Sequence, residues 1–118
     1  MIFVSTVVNV SDNSGARLAK CIHIYKKKKF ASIGDMILIS VKTYNPKKKI
    51  KKGELFISII IRINNFYKID NTYIKFNDNS VVLLNKKLLP IATRIFGVSI
   101  KNIRKINRKV YLMIPYVF

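Results

Sequence analysis

Two short segments far apart in the chain combine turn-forming residues with arginine. The first block, residues 10–16, reads Val-Ser-Asp-Asn-Ser-Gly-Ala and is followed at once by Arg17. The second block, residues 90–97, reads Pro-Ile-Ala-Thr-Arg-Ile-Phe-Gly. Asp, Asn and Ser side chains cap nearby backbone N–H groups, and an arginine beside such a turn suits a phosphate or a carboxylate. The two blocks predict backbone caps and anion contacts rather than an active site.

The charge balance predicts a polyanionic partner. The 118 residues include 23 Lys and Arg against 5 Asp and Glu, which gives a net charge of +18. A free domain with this charge would repel itself, and such an excess is typical of proteins that bind nucleic acid. Lys, Ile and Asn all have A/T-rich codons, so a biased genome would account for part of the charge.

Two lysine runs, residues 26–29 and 47–52, lie between predicted strands, where loops or hairpin tips can carry them outward to phosphate groups. Lysine is a point charge on a flexible stem, so the runs should supply affinity and positioning rather than base readout. Arginines are the better candidates for fixed bidentate contacts. The predicted RNA-binding residues are Arg17, Lys26, Lys27, Lys28, Lys29, Lys47, Lys48, Lys49, Lys51, Lys52, Arg62, Lys101, Arg104 and Arg108.

Five aromatic residues lie near the basic loops and have two possible roles. They could stack on bases, but we expect them to pack in the core. They are Tyr25, Phe30, Tyr44, Phe66 and Tyr67.

Residues that could do catalysis or bind metal are few. Cys21 is the only cysteine, so no internal disulfide can form, and with His23 it is two ligands short of a structural zinc site. On a strand the two side chains would face the same way, so we expect packing and a hydrogen bond. The five acidic residues are scattered at turns without the spacing of a triad or a ligand set. We therefore expect no metal, no cofactor and no enzymatic activity.

The apolar residues cluster in short β-branched runs, which predict strands. Short strands without room for crossover helices favour an antiparallel barrel, and the length suits a single domain over residues 1–118. No apolar stretch approaches a membrane span, and no basic presequence precedes Arg17. The predicted strands are 3–9, 18–25, 36–42, 54–63, 73–76, 81–84 and 110–114.

One helix is predicted from Ser99, its cap, to Val110. Ile103, Ile106 and Val110 fall on one side of it, and a basic stripe falls on the other. Such a helix could bind RNA or lie on a membrane; its apolar side lacks flanking aromatic residues, which favours RNA. The basic stripe consists of Lys101, Arg104, Lys105 and Arg108.

Five segments, in order and at suitable spacing, resemble the large-subunit ribosomal protein L-fourteen family. They are the first block, residues 33–35 (Ile-Gly-Asp), residues 50–54 (Ile-Lys-Lys-Gly-Glu), residues 76–85 and the second block. The resemblance covers essentially the whole chain. It implies a small closed five-stranded barrel with a projecting β-ribbon and a short C-terminal helix. Asn71 replaces the family's Gly at a hairpin turn, and Asn tolerates positive φ.

The resemblance also implies a function. It predicts a structural constituent of the large ribosomal subunit that binds large-subunit rRNA and bridges to small-subunit rRNA. The bridge and partner surface would comprise Thr93, Arg94, Ile95 and Phe96, with Thr93 and Arg94 as a polar tip on two buried neighbours. The implied protein partners are ribosomal protein L-nineteen and, in bacteria and organelles, a ribosome-silencing factor.

Two alternatives stay open from the sequence. A free-standing barrel that binds RNA or single-stranded DNA would have a similar composition. The A/T-driven composition and the absence of a presequence predict a mitochondrial-matrix protein encoded in the organelle, with a plastid-type organelle or the cytoplasm of an A/T-rich bacterium as alternatives.

Overall fold

The computed structural model describes residues 1–26 and 28–118 and arranges most of them around a β-barrel. Strands alternate with short turns until the C-terminal region, which contains two short helices. In chain order the elements are β1 (Val7–Val10), β2 (Ala16–Ile24), β3 (Met36–Tyr44), β4 (Leu55–Arg62), β5 (Phe66–Ile69), β6 (Thr72–Lys75), β7 (Ser80–Leu84), β8 (Val98–Ser99), α1 (Ile103–Ile106), α2 (Arg108–Met113) and β9 (Tyr116–Val117).

The barrel closes in the order β1-β2-β3-β4-β7 and returns to β1. Four of its pairings are antiparallel, and the closing pair, β1 with β7, is parallel, with Asn9 opposite Ser80 and Val10 opposite Val81. Closure leaves no barrel strand with an unpaired edge. The predicted mainly β fold with a closed five-stranded barrel is confirmed, and the closing pair is parallel rather than antiparallel.

Strand β7 and residues 58–61 of β4 are buried on both faces. Ile60, Val81 and Leu83 point into the barrel, where they join its interior core. Their neighbours point outward into a second core, which the C-terminal helices and part of the second block cover. A strand covered on both sides is a continuous apolar run rather than an alternating one, as residues 59–61 and 81–84 are. The second core contains Ile59, Ile61, Val82, Leu84, Ile95, Ile103, Val110 and Ile114.

Strands β5 and β6 form a separate two-stranded ribbon. Its turn residues, Asp70 and Asn71, have φ values of 46° and 65°, as a two-residue type I′ hairpin turn requires. Asn71 therefore supports the turn as expected. Tyr67 packs from this ribbon onto the interior core.

The predicted continuous helix from Ser99 is wrong. Ser99 lies in β8, where it is buried and its hydroxyl donates to the Ile61 carbonyl at 2.7 Å. Asn107 takes an extended conformation, with φ −146°, and divides the region into α1 and α2. Its side-chain oxygen accepts from the Val110 N–H at 3.2 Å, which caps α2. Ile106 consequently points away from the core and is 47% exposed.

Two predicted strands also differ from the structure. Residues 110–114, predicted as a strand, lie mostly in α2. The first strand begins at Val7 rather than at Phe3 because Ser5, with φ 79°, turns the chain before it. Within the described ranges, no helix is long and apolar enough to cross a membrane.

Candidate nucleic-acid interface

Asn13 joins the two blocks that stand out in the sequence. Its side-chain oxygen accepts from the backbone N–H groups of Thr93 and Arg94, both at 3.1 Å. Its amide nitrogen donates to the Thr93 hydroxyl at 2.8 Å, and its own backbone N–H donates to the Arg94 carbonyl at 3.2 Å. The N–H of Phe96 donates to the Ser11 carbonyl at 2.7 Å. The two blocks therefore form one rigid pair of loops.

Asp12 fastens this pair of loops to the barrel. One carboxylate oxygen accepts from the Leu83 N–H at 3.1 Å, and the other accepts from the Ser14 N–H at 3.1 Å and from the Ser14 hydroxyl. Burial raises the pKa of Asp12, and these hydrogen bonds oppose the rise without cancelling it. The backbone caps predicted for the first block are confirmed.

The second lysine run is held against the first block. The Asn45 N–H donates to the Gly15 carbonyl at 2.7 Å, and the Asn45 side chain accepts from the Lys47 N–H at 3.1 Å. Gly15, with φ 113°, leaves room for the aliphatic stem of Lys48, which a Cβ at that position would overlap. Ile50 is buried and anchors the loop. The lysines of this run are all exposed.

The first block, the second block, the second lysine run and Arg17 form what we call the composite surface. One depression of about 430 Å³ is lined by residues of all three segments, namely Asn13, Ser14, Lys47, Lys48, Lys49, Ile50, Ile91 and Thr93. A smaller one of about 150 Å³ lies beside it, between Gly15, Arg17, Asn45 and Lys48. Asp12 is the one carboxylate among the described residues lining either depression, and it is 6% exposed. The accessible charge of this surface is therefore cationic.

The tip of the second block is exposed, as predicted for Thr93 and Arg94. Its two anchors behave differently. Ile95 is 3% exposed and belongs to the second core, so it is a support and not part of a contact surface. Phe96 is 49% exposed, and the Arg94 guanidinium lies 5.9 Å from its ring centroid. The prediction that Phe96 is buried is wrong because successive residues of this extended segment face opposite ways.

Arg62 is an internal residue, although the sequence made it a candidate for RNA contact. Its Nε lies 3.0 Å from the Asp78 carboxylate, and its side chain is 11% exposed. All of its N–H groups have acceptors within the protein. The further acceptors are the hydroxyl of Ser11, the hydroxyl of Ser80 at 2.9 Å and the carbonyls of Phe96 and Val98, both at 3.2 Å. Arg62 is therefore not part of the candidate interface.

Asp78 and Gly97 complete the surroundings of Arg62. Burial raises the pKa of Asp78, but hydrogen bonds from Ser80 and Arg62 and the positive charge of Arg62 outweigh it, so the pKa lies below its ordinary value. Gly97 has φ 90°, and a Cβ at this position would overlap the Arg62 guanidinium. Gly97, which ends the second block, thus leaves space for the Arg62 guanidinium, which binds the Phe96 carbonyl of that block.

The first lysine run is only partly free. Lys26 pairs with Asp35 at 3.3 Å, and the same carboxylate accepts from the Ser32 N–H at 2.8 Å. Lys28 and Lys29 are exposed, and Lys27 lies outside the described residues. Of the three described lysines of this run, one is therefore engaged by a carboxylate within the protein.

The C-terminal basic residues do not form the predicted stripe. Because Asn107 separates α1 from α2, Arg104 and Arg108 belong to different helices and Lys101 precedes both. All three are exposed. The Arg104 guanidinium lies 6.0 Å from the Tyr111 ring centroid, which orients it.

Cys21 and His23 do not share a face. Cys21 is buried, its thiol lies 3.9 Å from the His23 carbonyl, and burial raises its pKa. A register shift between the two residues turns His23 outward, where it packs edge-on against Tyr25 at 5.1 Å between ring centroids. In the part of the chain that the structure describes, no three His, Cys, Asp or Glu side chains are grouped to hold a metal ion.

Four of the five aromatic residues expected in the core are exposed. Tyr25, Tyr44 and Phe66 are 51%, 39% and 63% exposed, and Phe30 is 36% exposed beside Phe3. Tyr67 packs inward, and burial raises its pKa. Strand alternation does not predict these orientations, because Tyr25 and Phe30 lie outside the strands and Phe66 lies on the separate ribbon.

Fold and charge define a small basic β-barrel of the class that typically binds nucleic acid. The chain belongs to the ribosomal protein family described as "Ribosomal protein L14p/L23e", whose family model matches residues 1–117. This is a structural, non-enzymatic family. The chain is also similar to "Large ribosomal subunit protein uL14" of Carsonella ruddii (strain PV), with 45% identity over 107 residues that cover 88% of each protein. The resemblance found in the sequence is confirmed.

Proposed function

We propose that this protein is a structural constituent of the large ribosomal subunit and binds its rRNA through the composite surface. The observation that carries the proposal is the union of the first block, the second lysine run and the second block in one cationic surface. Family membership adds a ribosomal context to this surface. Lys47, Lys49, Lys51 and Lys52 would neutralise phosphates, and Arg17 would add a bidentate contact.

The Thr93–Arg94 tip is the proposed contact with small-subunit rRNA. Asn13 fixes its backbone, so its side chains can project with little loss of conformational freedom on binding. Phe96, exposed beside Arg94, extends the same contact. The proposed protein partners are ribosomal protein L-nineteen and a ribosome-silencing factor, which would bind on the surface around this tip.

The remaining proposed rRNA contacts are Lys26 to Lys29, Lys101, Arg104 and Arg108. For the compartment, the relative in Carsonella ruddii favours the bacterial cytoplasm over the mitochondrial matrix that composition alone predicts. Location of the gene on a bacterial or an organellar genome decides between them.

Co-sedimentation tests the assembly role. Purified protein is added to large subunits that lack their own copy, to small subunits and to free duplex RNA, and each mixture is sedimented in high-salt buffer. We expect retention on large subunits alone, because a shaped site adds to electrostatic attraction, which salt screens. Equal, salt-labile binding to all three would identify a free-standing RNA-binding barrel instead.

A further inference from the structure

The outward face of the β5–β6 ribbon alternates aromatic and cationic side chains. Phe66 lies directly opposite Lys75 in the register, and Lys68 lies directly opposite Tyr73. Because alternate residues of a strand share a face, these four side chains lie together on one side of the ribbon. Phe66 is 63% exposed and Tyr73 is 67% exposed.

The other side of the ribbon explains why this face points outward. Tyr67 packs onto the interior core, and its ring lies in a tilted arrangement 6.0 Å between centroids from that of Phe76, which is buried. Ile74, opposite Tyr67 in the register, is half-buried. The ribbon therefore has a supported inner face and an outer face that no described residue covers.

We propose that this outer face is a stacking platform for unpaired rRNA bases. Exposed aromatic rings interleaved with lysines are the combination that single-stranded nucleic acid requires, since the rings stack on bases and the cations follow the phosphates. Lys75 Nζ lies 5.1 Å from the Phe66 ring centroid, so charge and ring are presented at one point. No carboxylate occupies the four positions, so the face attracts anionic groups, and its exposed rings favour nucleic acid over an acidic protein surface.

A cleft beside the platform is large enough to accept a nucleotide base. It measures about 490 Å³ and is lined by Tyr73, Lys75 and their neighbours along β6, by Asp70 at the ribbon turn, and by Val98 and Phe118. A base turned out of the RNA strand that crosses the ribbon would pack against the apolar side chains of this cleft. The proposal rests on the proposed function for the identity of the RNA and specifies that the bases here are unpaired.

Ring-removing variants test the platform. Full-length Phe66→Ala and Tyr73→Ala are compared with Tyr116→Ala, which removes a ring that is 69% exposed and outside the platform. Binding is measured to a labelled single-stranded RNA and to the same strand annealed to its complement. Each platform variant should weaken single-strand binding by about 5- to 150-fold without changing the salt slope, because stacking and not phosphate contact is lost. Tyr116→Ala should bind as wild type.

Tryptophan variants keep the test decisive if the alanine variants misfold. The chain contains no Trp, so Tyr73→Trp and Tyr116→Trp each introduce a single reporter. Single-stranded RNA should quench the first and leave the second unchanged. No quenching and no loss of affinity, in protein that still sediments with large subunits, would overturn the platform and leave the proposed function standing. A response of Tyr73→Trp to complete subunits but not to rRNA would assign the face to a protein instead.

Discussion

At the scale of single residues, Asn13 and Arg62 connect parts of the chain that are distant in sequence. The Asn13 side-chain oxygen accepts from two backbone N–H groups of the second block, and its amide nitrogen donates to the Thr93 hydroxyl. Arg62 binds Asp78 and the carbonyls of Phe96 and Val98 behind the same block. Both residues hold the loops of the interface in position, so we expect their substitution to lower the stability of the protein before it affects binding.

Replacement of Arg62 by alanine should lower the free energy of unfolding by about 2–4 kcal/mol, because it leaves several buried polar groups without a donor. Urea denaturation measures the change. Arg62→Lys should recover little of this stability, since one ammonium group cannot reach all the acceptors that surround the planar guanidinium. The exposed Arg17→Ala is the matched control, within about 0.5 kcal/mol of wild type. Wild-type stability of Arg62→Ala combined with lost rRNA binding would return Arg62 to the interface.

Asp78 should make the protein less stable in acid. Its pKa is lowered in the folded state, so its contribution is present above the ordinary value of 3.8 and is lost as pH falls through the folded pKa. Urea midpoints compared at about pH 5 and about pH 2.5 should fall further for wild type than for Asp78→Asn. Asp12 acts in the opposite direction, because its raised pKa gives a contribution that is lost as pH rises above 3.8. An equal fall of the urea midpoint in the two proteins would contradict the stabilising role assigned to the Asp78 carboxylate.

At the scale of elements, local pattern predicted the barrel strands but not the C-terminal helices. Residues 36–42, 54–63 and 81–84 are apolar and β-branched, and they lie in β3, β4 and β7. The break at Asn107 could not be predicted, because its amide donates to the Leu88 carbonyl at 2.7 Å, a tertiary contact 19 residues away. The internal role of Arg62 has the same cause, since its partners come from both blocks and from Asp78.

Asn107→Ala should destabilise the protein by about 0.5–2 kcal/mol through loss of the α2 cap. Thermal unfolding followed by circular dichroism measures it. Asn102→Ala is the matched control, because Asn102 precedes α1 without a side-chain cap hydrogen bond, and it should unfold as wild type. Equal effects of the two substitutions would show that the Asn107 side chain does not hold the break between the helices.

Charge removal from the second lysine run should weaken rRNA binding with little effect on the fold. Lys47→Ser with Lys49→Ser is the suitable pair, because the Lys48 stem packs on Gly15 and has a structural role. Each lost phosphate contact should flatten the slope of log affinity against log salt by about 0.7 to 0.9. Lys86→Ser with Lys87→Ser removes equal charge from an exposed turn outside the composite surface and should change the slope less. Equal slopes for the two pairs would mean that only total charge matters.

At the scale of the whole molecule, the barrel is a rigid support for charged loops. Its closure and the second core over β4 and β7 hold the second block in place through Ile95. The net charge of +18 is what remains after all five acidic residues are counted, so the protein gains most from a polyanionic environment. Fold and charge could be predicted from sequence, whereas the meeting of the two blocks depends on barrel closure.

Arg94→Glu should leave large-subunit assembly near normal and impair subunit joining. Asn13 bonds to the backbone N–H groups of Thr93 and Arg94 and to the Thr93 hydroxyl. None of these bonds involves the Arg94 side chain, and Ile95 stays buried, so the tip keeps its shape after the substitution. The new carboxylate would then face rRNA phosphate across the interface and repel it. Sucrose gradients measure the ratio of joined ribosomes to free subunits, and Arg94→Gln, which removes the charge without reversing it, should have a smaller effect. Failure of Arg94→Glu to enter large subunits would make Arg94 an internal contact and would move the bridge to the surface around Lys101, Arg104 and Arg108.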